Sequence, residues 1–511
     1  MIPSFHRRSA VRARGVLPAL TLAAVFLAAG CTVGPDYKRP AAAVPAEYKE
    51  NSQWQPAQPS DATVRGKWWE LFGDEQLNAL EEQVTVSNET LKAAQAQFIQ
   101  ARTAIRFNRA GYYPTLTVAP SASRTRQSGN QPFAGPFSKG VTANDFQIPF
   151  DASYEPDVWG RVRRSVEAAR AGAQASAADV EAVSLSLRAE LALDYFQARN
   201  LDAEIQLLDS TVTSFQKALD LTRSRYQGGV ASQVDVAQAQ TQLETTRAQA
   251  IDLKIQRAQF EHAIAALIGR PASEFTLPVS PLNAVPPPVP AGLPSQLLER
   301  RPDVAGAERR MAIANANIGV ARSAYFPVFG LTVSGGFNSA VITTLIQGPS
   351  AMWSVGVAAA QTIFEGGQRR AASEQARAAY DQSVATYRQT ALNAFQDVED
   401  NLAALRILEQ EAQTQRGAVE AAEHSLALSN NRYRGGVTSY LEVTTAQSAA
   451  LSDERVAVEI QGRRMTACVL LIKALGGGWD ASALNGVAAN KPPDSLPGAA
   501  GGGAVPPAAK P

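Results

Sequence analysis

The apolar positions at Leu201, Ile205, Leu208, Val212, Phe215 and Leu219 are separated by steps of four and three. That is the spacing of a left-handed coiled-coil seam. The same steps recur at Leu408, Ala412, Gln415, Val419, Ala422 and Leu426, where the seam is smaller and wetter. Each seam lies in a long helical pattern, Arg161 to Tyr226 and Arg369 to Tyr433. Neither pattern contains a proline, and each has one glycine, Gly172 or Gly417. At ~1.5 Å per residue, such a pattern predicts a rod of roughly 100 Å. A shorter helix is predicted after each rod, from about Ser232 to Ile268 and from about Ser439 to Leu475. Another precedes each, Glu75 to about Ala110 and Asp303 to about Ser323, with Pro302 and Asp303 suited to a helix start. Taken singly, each seam is equally the core stripe of a helical bundle.

Between the first helix and the rod the period changes to two. Phe146, Ile148, Phe150, Ala152 and Tyr154 alternate with Gln147, Pro149, Asp151 and Ser153. In the second half Phe329, Leu331, Val333 and Phe337 alternate with Gly330, Thr332, Ser334 and Gly336. Trp353, Val355, Val357 and Ala359 alternate with Ser354, Gly356 and Ala358. The alternation around Leu116 and Val118 is weaker. One apolar face and one polar or small face fits a membrane barrel strand, and fits any half-buried strand equally well. Four strands in two hairpins cannot close a barrel, since the smallest single-chain barrels use about eight. If these strands cross a bilayer, several chains must pool them. No mature segment has the ~20 apolar residues of a spanning helix.

The two halves are copies. Arg225-Tyr226-Gln227-Gly228-Gly229-Val230 returns as Arg432-Tyr433-Arg434-Gly435-Gly436-Val437, an offset of 432 − 225 = 207. Ala239-Gln240 and Gly269 return as Ala446-Gln447 and Gly476 at the same offset, whereas Tyr112-Tyr113-Pro114 returns as Tyr325-Phe326-Pro327 at 213. A register kept over about 100 residues indicates duplication. The six-residue change must fall in between, where an exposed loop would absorb it. The paired glycines end the rods, because glycine supplies the positive φ of a helix C-cap. Each marks the tip of a helical hairpin.

Composition narrows the function classes. The 48 Lys+Arg nearly balance 47 Asp+Glu, which gives no global attraction to nucleic acid. Three histidines (His6, His262 and His424) and four methionines supply no metal or copper path, and no phosphate loop or nucleophile motif is present. Arg7, Arg8, Arg12 and Arg14 precede the apolar run Gly15 to Gly30, an export signal that ends at Cys31. Leu27-Ala28-Ala29-Gly30-Cys31 resembles a bacterial lipoprotein box, with alanine where leucine is preferred. The other reading is an ordinary cleavage site that leaves a free thiol. Thr32, in place of aspartate, permits outer-membrane sorting. Cys468, the only other cysteine, reads as a buried thiol, so no disulfide framework is expected. The expected segments are a signal peptide over 1–30, an extended N-terminal segment over 31–67, repeat one over 68–277, a Pro-rich linker over 278–294, repeat two over 295–479, and a disordered tail over 480–511.

Several motifs carry a family resemblance. Cys31-Thr-Val-Gly-Pro-Asp-Tyr37, Trp68-Trp-Glu-Leu-Phe-Gly-Asp-Glu-Gln-Leu77, Arg300-Arg-Pro-Asp-Val304 and the two Arg-Tyr-x-Gly-Gly-Val turns stand in order. Over Cys31 to Trp479 the chain resembles the TolC-like outer membrane efflux proteins, in their NodT-type lipoprotein branch. The resemblance implies a mainly α chain with a small membrane β part. Long coiled-coil hairpins would form a periplasmic α-barrel, and four strands per chain would enter a shared 12-stranded β-barrel of a homotrimer. It implies a passive exit duct and no enzyme, fed by a periplasmic adaptor and an inner-membrane transporter of RND type. No cofactor is implied beyond covalent lipid on Cys31. Arg225, Gly228, Gly229, Arg432, Gly435 and Gly436 would form adaptor-facing tips. Tyr226, Tyr433, Asp235 and Glu442 would sit at the periplasmic entrance, although both carboxylates equally suit a helix's first turn. Thr438 and Thr445 replace an arginine and an acid found in some relatives. Phe146, Ile148, Phe150, Phe329, Leu331, Trp353 and Val355 would face lipid. A protein-secretion channel of the same architecture and a non-channel coiled-coil lipoprotein are the alternatives.

Overall fold

The structure, a computed structural model, describes residues 32–41, 44–45, 47–51, 66–126, 128, 140, 142–289 and 299–487. Cys31 and the signal lie outside the described residues. The described helices are α1 (Glu75–Ser87), α2 (Glu89–Ala110), α3 (Arg161–Gln227), α4 (Gln233–Leu267), α5 (Pro302–Ser323), α6 (Gln368–Arg434) and α7 (Tyr440–Ala474). The chain forms two compact units, and both copies contribute to each. One unit draws on residues up to 40, 100–173 and 309–385, and the other on 41–99, 174–308 and 386 onward.

The first unit holds one antiparallel sheet of β1 (Thr115–Val118), β2 (Ser121–Arg126), β3 (Thr142–Tyr154), β4 (Val328–Ser339) and β5 (Ala351–Ala360). β1 and β2 both pair with β3, β3 pairs with β4, and β4 with β5. Thr115 lies opposite Ser153 and Ser121 opposite Gln147, so β1 and β2 share one register and form a single interrupted strand. The interruption is Ala119-Pro120, where Pro120 has no N–H for the ladder and Pro149 falls opposite Ala119 in that register. The result is four strands in two hairpins. Residue numbers of facing partners add to 268 in the first hairpin and 688 in the second. First strands 213 apart therefore require second strands 207 apart. The six-residue change thus lies between β2 and β3. Gly336 sits opposite Pro149, and a Cβ there would fall 2.1 Å from the Ile148 carbonyl oxygen, so β3 and β4 meet over a position only glycine can fill.

In the second unit the rods and their return helices pack as hairpins. Leu201, Leu208, Ala250, Leu253 and Leu451 form one core cluster, with Ile205 and Phe260 against it. Each fully buried aliphatic side chain contributes about 1.5–3 kcal/mol. The second seam is wetter, as its residues predict. Leu408 packs with Ile460 and Ala467, but Gln415 replaces an apolar residue and donates to the Asp453 carbonyl at 2.9 Å.

An ion pair is duplicated as well. Asp202 accepts from Arg257 at 3.2 Å, and their counterparts at 207 residues further on, Glu409 and Arg464, are also paired. The first pair is buried and holds the start of the linker. Asp202 accepts from the Ser280 N–H at 3.0 Å, Arg199 donates to the Pro278 carbonyl, and Arg257 to the Leu277 carbonyl.

Two boundaries differ from expectation. The helix expected from Glu75 to Ala110 is two helices. Asn88 is extended, accepts from the Leu91 N–H at 2.9 Å and donates to the Leu267 carbonyl at 2.8 Å, which caps α2 and ties it to the end of α4. Residues 480–487, expected to belong to the disordered tail, are ordered, and the rest of that expected segment lies outside the described residues. Ala481–Gly486 form a 3-10 turn capped by Asp480, and Leu484 is buried against Ala178 and Ala305. Leu484 stands 207 residues after the equally buried Leu277, so the second copy runs past residue 479.

Candidate functional site

At the end of α3 the Gly229 N–H donates to the Tyr226 carbonyl at 2.9 Å and the Val230 N–H to the Arg225 carbonyl at 2.9 Å. At the end of α6 the Gly436 N–H donates to Tyr433 at 3.0 Å and the Val437 N–H to Arg432 at 3.0 Å. Both are Schellman closures, and Gly229 and Gly436 share the same positive φ of 74°. The duplicated sequence therefore folds into duplicated backbone.

The side chains around the two turns differ. Ser232 and Asp235 form a capping box: Ser232 Oγ accepts from the Asp235 N–H at 3.1 Å, and Asp235 accepts from the Ser232 N–H at 2.9 Å. In copy two Ser439 makes no side-chain cap. The longer Glu442 instead accepts from the Thr438 hydroxyl at 2.5 Å and pairs with Arg432 at 3.2 Å. Both partners are over a third exposed, so solvent screens the pair.

The tyrosines separate too. Tyr433 is buried and meets Tyr440 edge-on at 5.3 Å, within a cluster that includes Phe215, Leu219, Ala239, Leu243 and Val443. Tyr226, its counterpart, is 46% exposed. The residue matching Tyr440 is Gln233, so copy one has no ring to cover Tyr226. Arg225 reaches across to the second turn. Its guanidinium lies 4.8 Å from the Tyr433 ring centroid and donates to the Arg434 carbonyl at 3.1 Å.

In the sheet, directly facing residues share a face. Val118, Phe150, Gly335 and Trp353 face one another in sequence across the strands, as do Leu116, Ala152, Val333 and Val355. Phe146, Ile148, Phe329 and Leu331 belong to this same face by register. The opposite face carries Thr117, Asp151, Ser334 and Ser354. Trp353 is 82% and Val355 66% exposed, so no described part of the chain covers this apolar face.

The family model for the outer membrane efflux protein matches residues 80–270 and again 293–477. The chain belongs to the outer membrane efflux protein family. The starts of the two matches differ by 293 − 80 = 213 and their ends by 477 − 270 = 207, the two offsets of the internal repeat. The chain is 33% identical to the probable efflux pump outer membrane protein TtgC of Pseudomonas putida, over 89% of this chain and 94% of that one. The solved outer-membrane channel OprN matches with a TM-score of 0.81 at 30% identity, over 88% of this chain and all of OprN. The CmeC outer membrane channel of Campylobacter jejuni matches with a TM-score of 0.82 at 25% identity, over 88% of this chain and 96% of CmeC. As an outer membrane efflux protein, the chain is an outer-membrane channel component with helix-dominated architecture.

Within this family member, the residues singled out in sequence fall into two groups, the turns with Asp235 and Glu442 and the apolar face of the sheet. Sequence reasoning missed the Arg225–Tyr433 contact, because one copy's arginine pairs with the other copy's tyrosine. It also missed Tyr440, whose signal was its absence from copy one. Among the described residues no cluster of His, Cys, Asp or Glu is arranged to hold a metal. Cys468 is buried, and burial pushes its thiol up to about 12. Glu81 was also missed. It is fully buried on α1, neither carboxyl oxygen has a hydrogen-bond partner, and burial pushes its pKa up to about 9 against an opposing pull from Arg188.

Proposed function

We propose that three copies of this chain close a 12-stranded barrel in the outer membrane and act as a passive exit duct. The duct would take small molecules from a periplasmic adaptor and an inner-membrane pump of RND type, with Cys31 lipidated as an anchor and no catalytic step of its own. The observation that carries this reading is the sheet. Its four strands expose an apolar face, and among the described residues its outer strands, β1–β2 and β5, are each paired on one side only. An open edge in lipid leaves backbone groups unsatisfied, so such a sheet needs further strands, and further copies of the chain supply them.

The relative TtgC supports the direction of transport, since it is named a probable efflux pump outer membrane protein. At the entrance Asp235 and Glu442 favour cations, and the two contribute unequally. Glu442 shares its charge with Arg432, whereas the Asp235 carboxylate accepts the Ser232 backbone N–H in its capping box. Purified protein should run as a heat-dissociable trimer and conduct in planar bilayers with a cation preference. Asp235→Asn should lower that preference more than Glu442→Gln. A monomer that forms no pore would overturn the reading.

A further inference from the structure

The start of α3 lies against α5, and one arginine holds the joint. The Arg164 side chain is 4% exposed and lays its stem on Gly319, where a Cβ would fall 2.8 Å from Arg164 Cγ. Its guanidinium donates to Glu167 at 2.8 Å, to Asp36 at 3.0 Å, and to the Val33 and Gly34 carbonyls at 3.4 Å each. Gly34 crosses Gly319 so closely that a Cβ on it would fall 2.5 Å from the Gly319 Cα. The repeat names the counterparts of this joint. Both ends of α2 and α5 are 213 apart, and both ends of α3 and α6 are 207 apart. Gly319 therefore answers to Arg106 (319 − 213), Arg164 to Ala371 (164 + 207), and Glu167 to Glu374 (167 + 207). The large basic residue has changed helices. We propose that Arg106 lies over Ala371 of a neighbouring copy and donates to the neighbour's Glu374, so that this pairing of an arginine with a small residue tells the seam between chains from the seam within one.

The proposal rests on the reading that copies of the chain assemble as a ring. In such a ring α3 meets α5 within a chain, and α6 meets the neighbour's α2 in the same way. The exposed groups suit that meeting. Arg106 is exposed, with a long bond of 3.5 Å to the Thr103 hydroxyl, and Phe107 beside it is 81% exposed. Glu374 pairs with Arg370 at 2.9 Å, but its side chain is 67% exposed, so solvent screens that pair and a second arginine can join it. The Arg106 side chain also takes the room that the N-terminal segment fills over Gly319 in the other seam, and Ala371 leaves space for its stem. Wrong pairings fail from both sides. Packing α2 against α3 would set Arg106 on Arg164, two like charges at one point. Packing α5 against α6 would set Gly319 on Ala371, which leaves a gap and gives Glu374 no arginine from the facing helix.

Exchanging the two residues tests the pairing. Both positions are exposed in the single chain, which should tolerate either substitution. The readout is the ratio of trimer to monomer on unheated gels. Ala371→Arg sets two arginines against each other and should lower that ratio more than about tenfold. Arg106→Gly removes the donor and should lower it about threefold. The double variant, Arg106→Gly with Ala371→Arg, writes the α3–α5 pair into the other seam and should recover trimer well above Ala371→Arg alone. A double variant no better than Ala371→Arg would overturn the proposal. A second arm uses the same two positions. The Arg164–Gly319 geometry implies that their Cβ atoms come within disulfide reach, ~4 Å. Oxidation of a chain carrying Arg106→Cys and Ala371→Cys should therefore trap covalent dimers and trimers on denaturing gels. Uncrosslinked chain from protein that still runs as a trimer when unheated would overturn the pairing while the ring stands. Wild-type protein that never runs as a trimer would overturn the ring, and the pairing with it.

Discussion

One methylene separates Asp235 from Glu442, and it decides what each carboxylate binds. Asp235 reaches back to its own Ser232, whereas Glu442 extends to Arg432 and Thr438. The sequence shows that both positions keep an acid. The partner of each acid follows from rotamer length and from Thr438 standing where copy one has Ala231, so it was not legible from spacing. Glu81 makes the same point for burial, because an acid on an amphipathic helix reads as solvated until its neighbours close over it. Its raised pKa fixes a sign. The folded state keeps a proton that the unfolded chain releases above about 4.5, so Glu81 contributes most to stability below that pH, and the contribution is lost as pH rises toward about 9. Thermal melting of detergent-solubilised protein should give a midpoint that falls between about pH 5 and about pH 8. Glu81→Gln, neutral throughout, should flatten that fall, and an unchanged slope would assign it to other groups.

At the scale of elements, the heptad seams and the turns were fully legible, because period and glycine placement are local properties. The division of α1 from α2 was not. It depends on Asn88 bonding to Leu267, 179 residues away. Asp202 is a similar case: its charge sits inside a long helix, but its partners Arg257 and Ser280 come from the return helix and the linker. Asp202→Ala should cost about 3–5 kcal/mol, since it leaves the buried Arg199 without its acid and takes from Arg257 one of its two, Glu261 remaining. Denaturant titration in mild detergent would measure the loss, together with faster proteolysis near residue 280. Glu409→Ala, in the more exposed counterpart pair, should cost under about 1 kcal/mol. In the sheet, alternation told which residues share a face but not the register that aligns β3 with β4. Val355→Arg, on the apolar face, should cost about 2–4 kcal/mol at the bilayer midplane and reduce assembly, whereas Ser354→Arg on the other face should be mild. Outer-membrane yield of each variant checks this, and an inverted preference would exchange the two faces.

For the whole molecule, the repeat predicts which strands of different copies would meet in the proposed ring. β3 faces β4 with residue numbers that add to 485. Shifting β3 forward by 207 and β4 back by 213 predicts that β5 faces the neighbour's β1–β2 with numbers that add to 479, or 485 + 207 − 213. Ser354 should then lie opposite the neighbour's Thr125, and Val357 opposite its Ala122, with apolar positions again on one face. Oxidation of a chain with Ser354→Cys and Thr125→Cys should trap covalent oligomers, and a pair shifted by one residue should trap few. The duplication also has a consequence for how such a ring comes together. Six separate half-length chains would have to find one another by diffusion at six seams. Fusion turns three of those seams into intramolecular closures, whose effective concentration is on the order of millimolar whatever the supply of protein. Expression level then governs only three encounters, so a ring made of duplicated chains should reach completion at far lower copy number than one assembled from unfused halves.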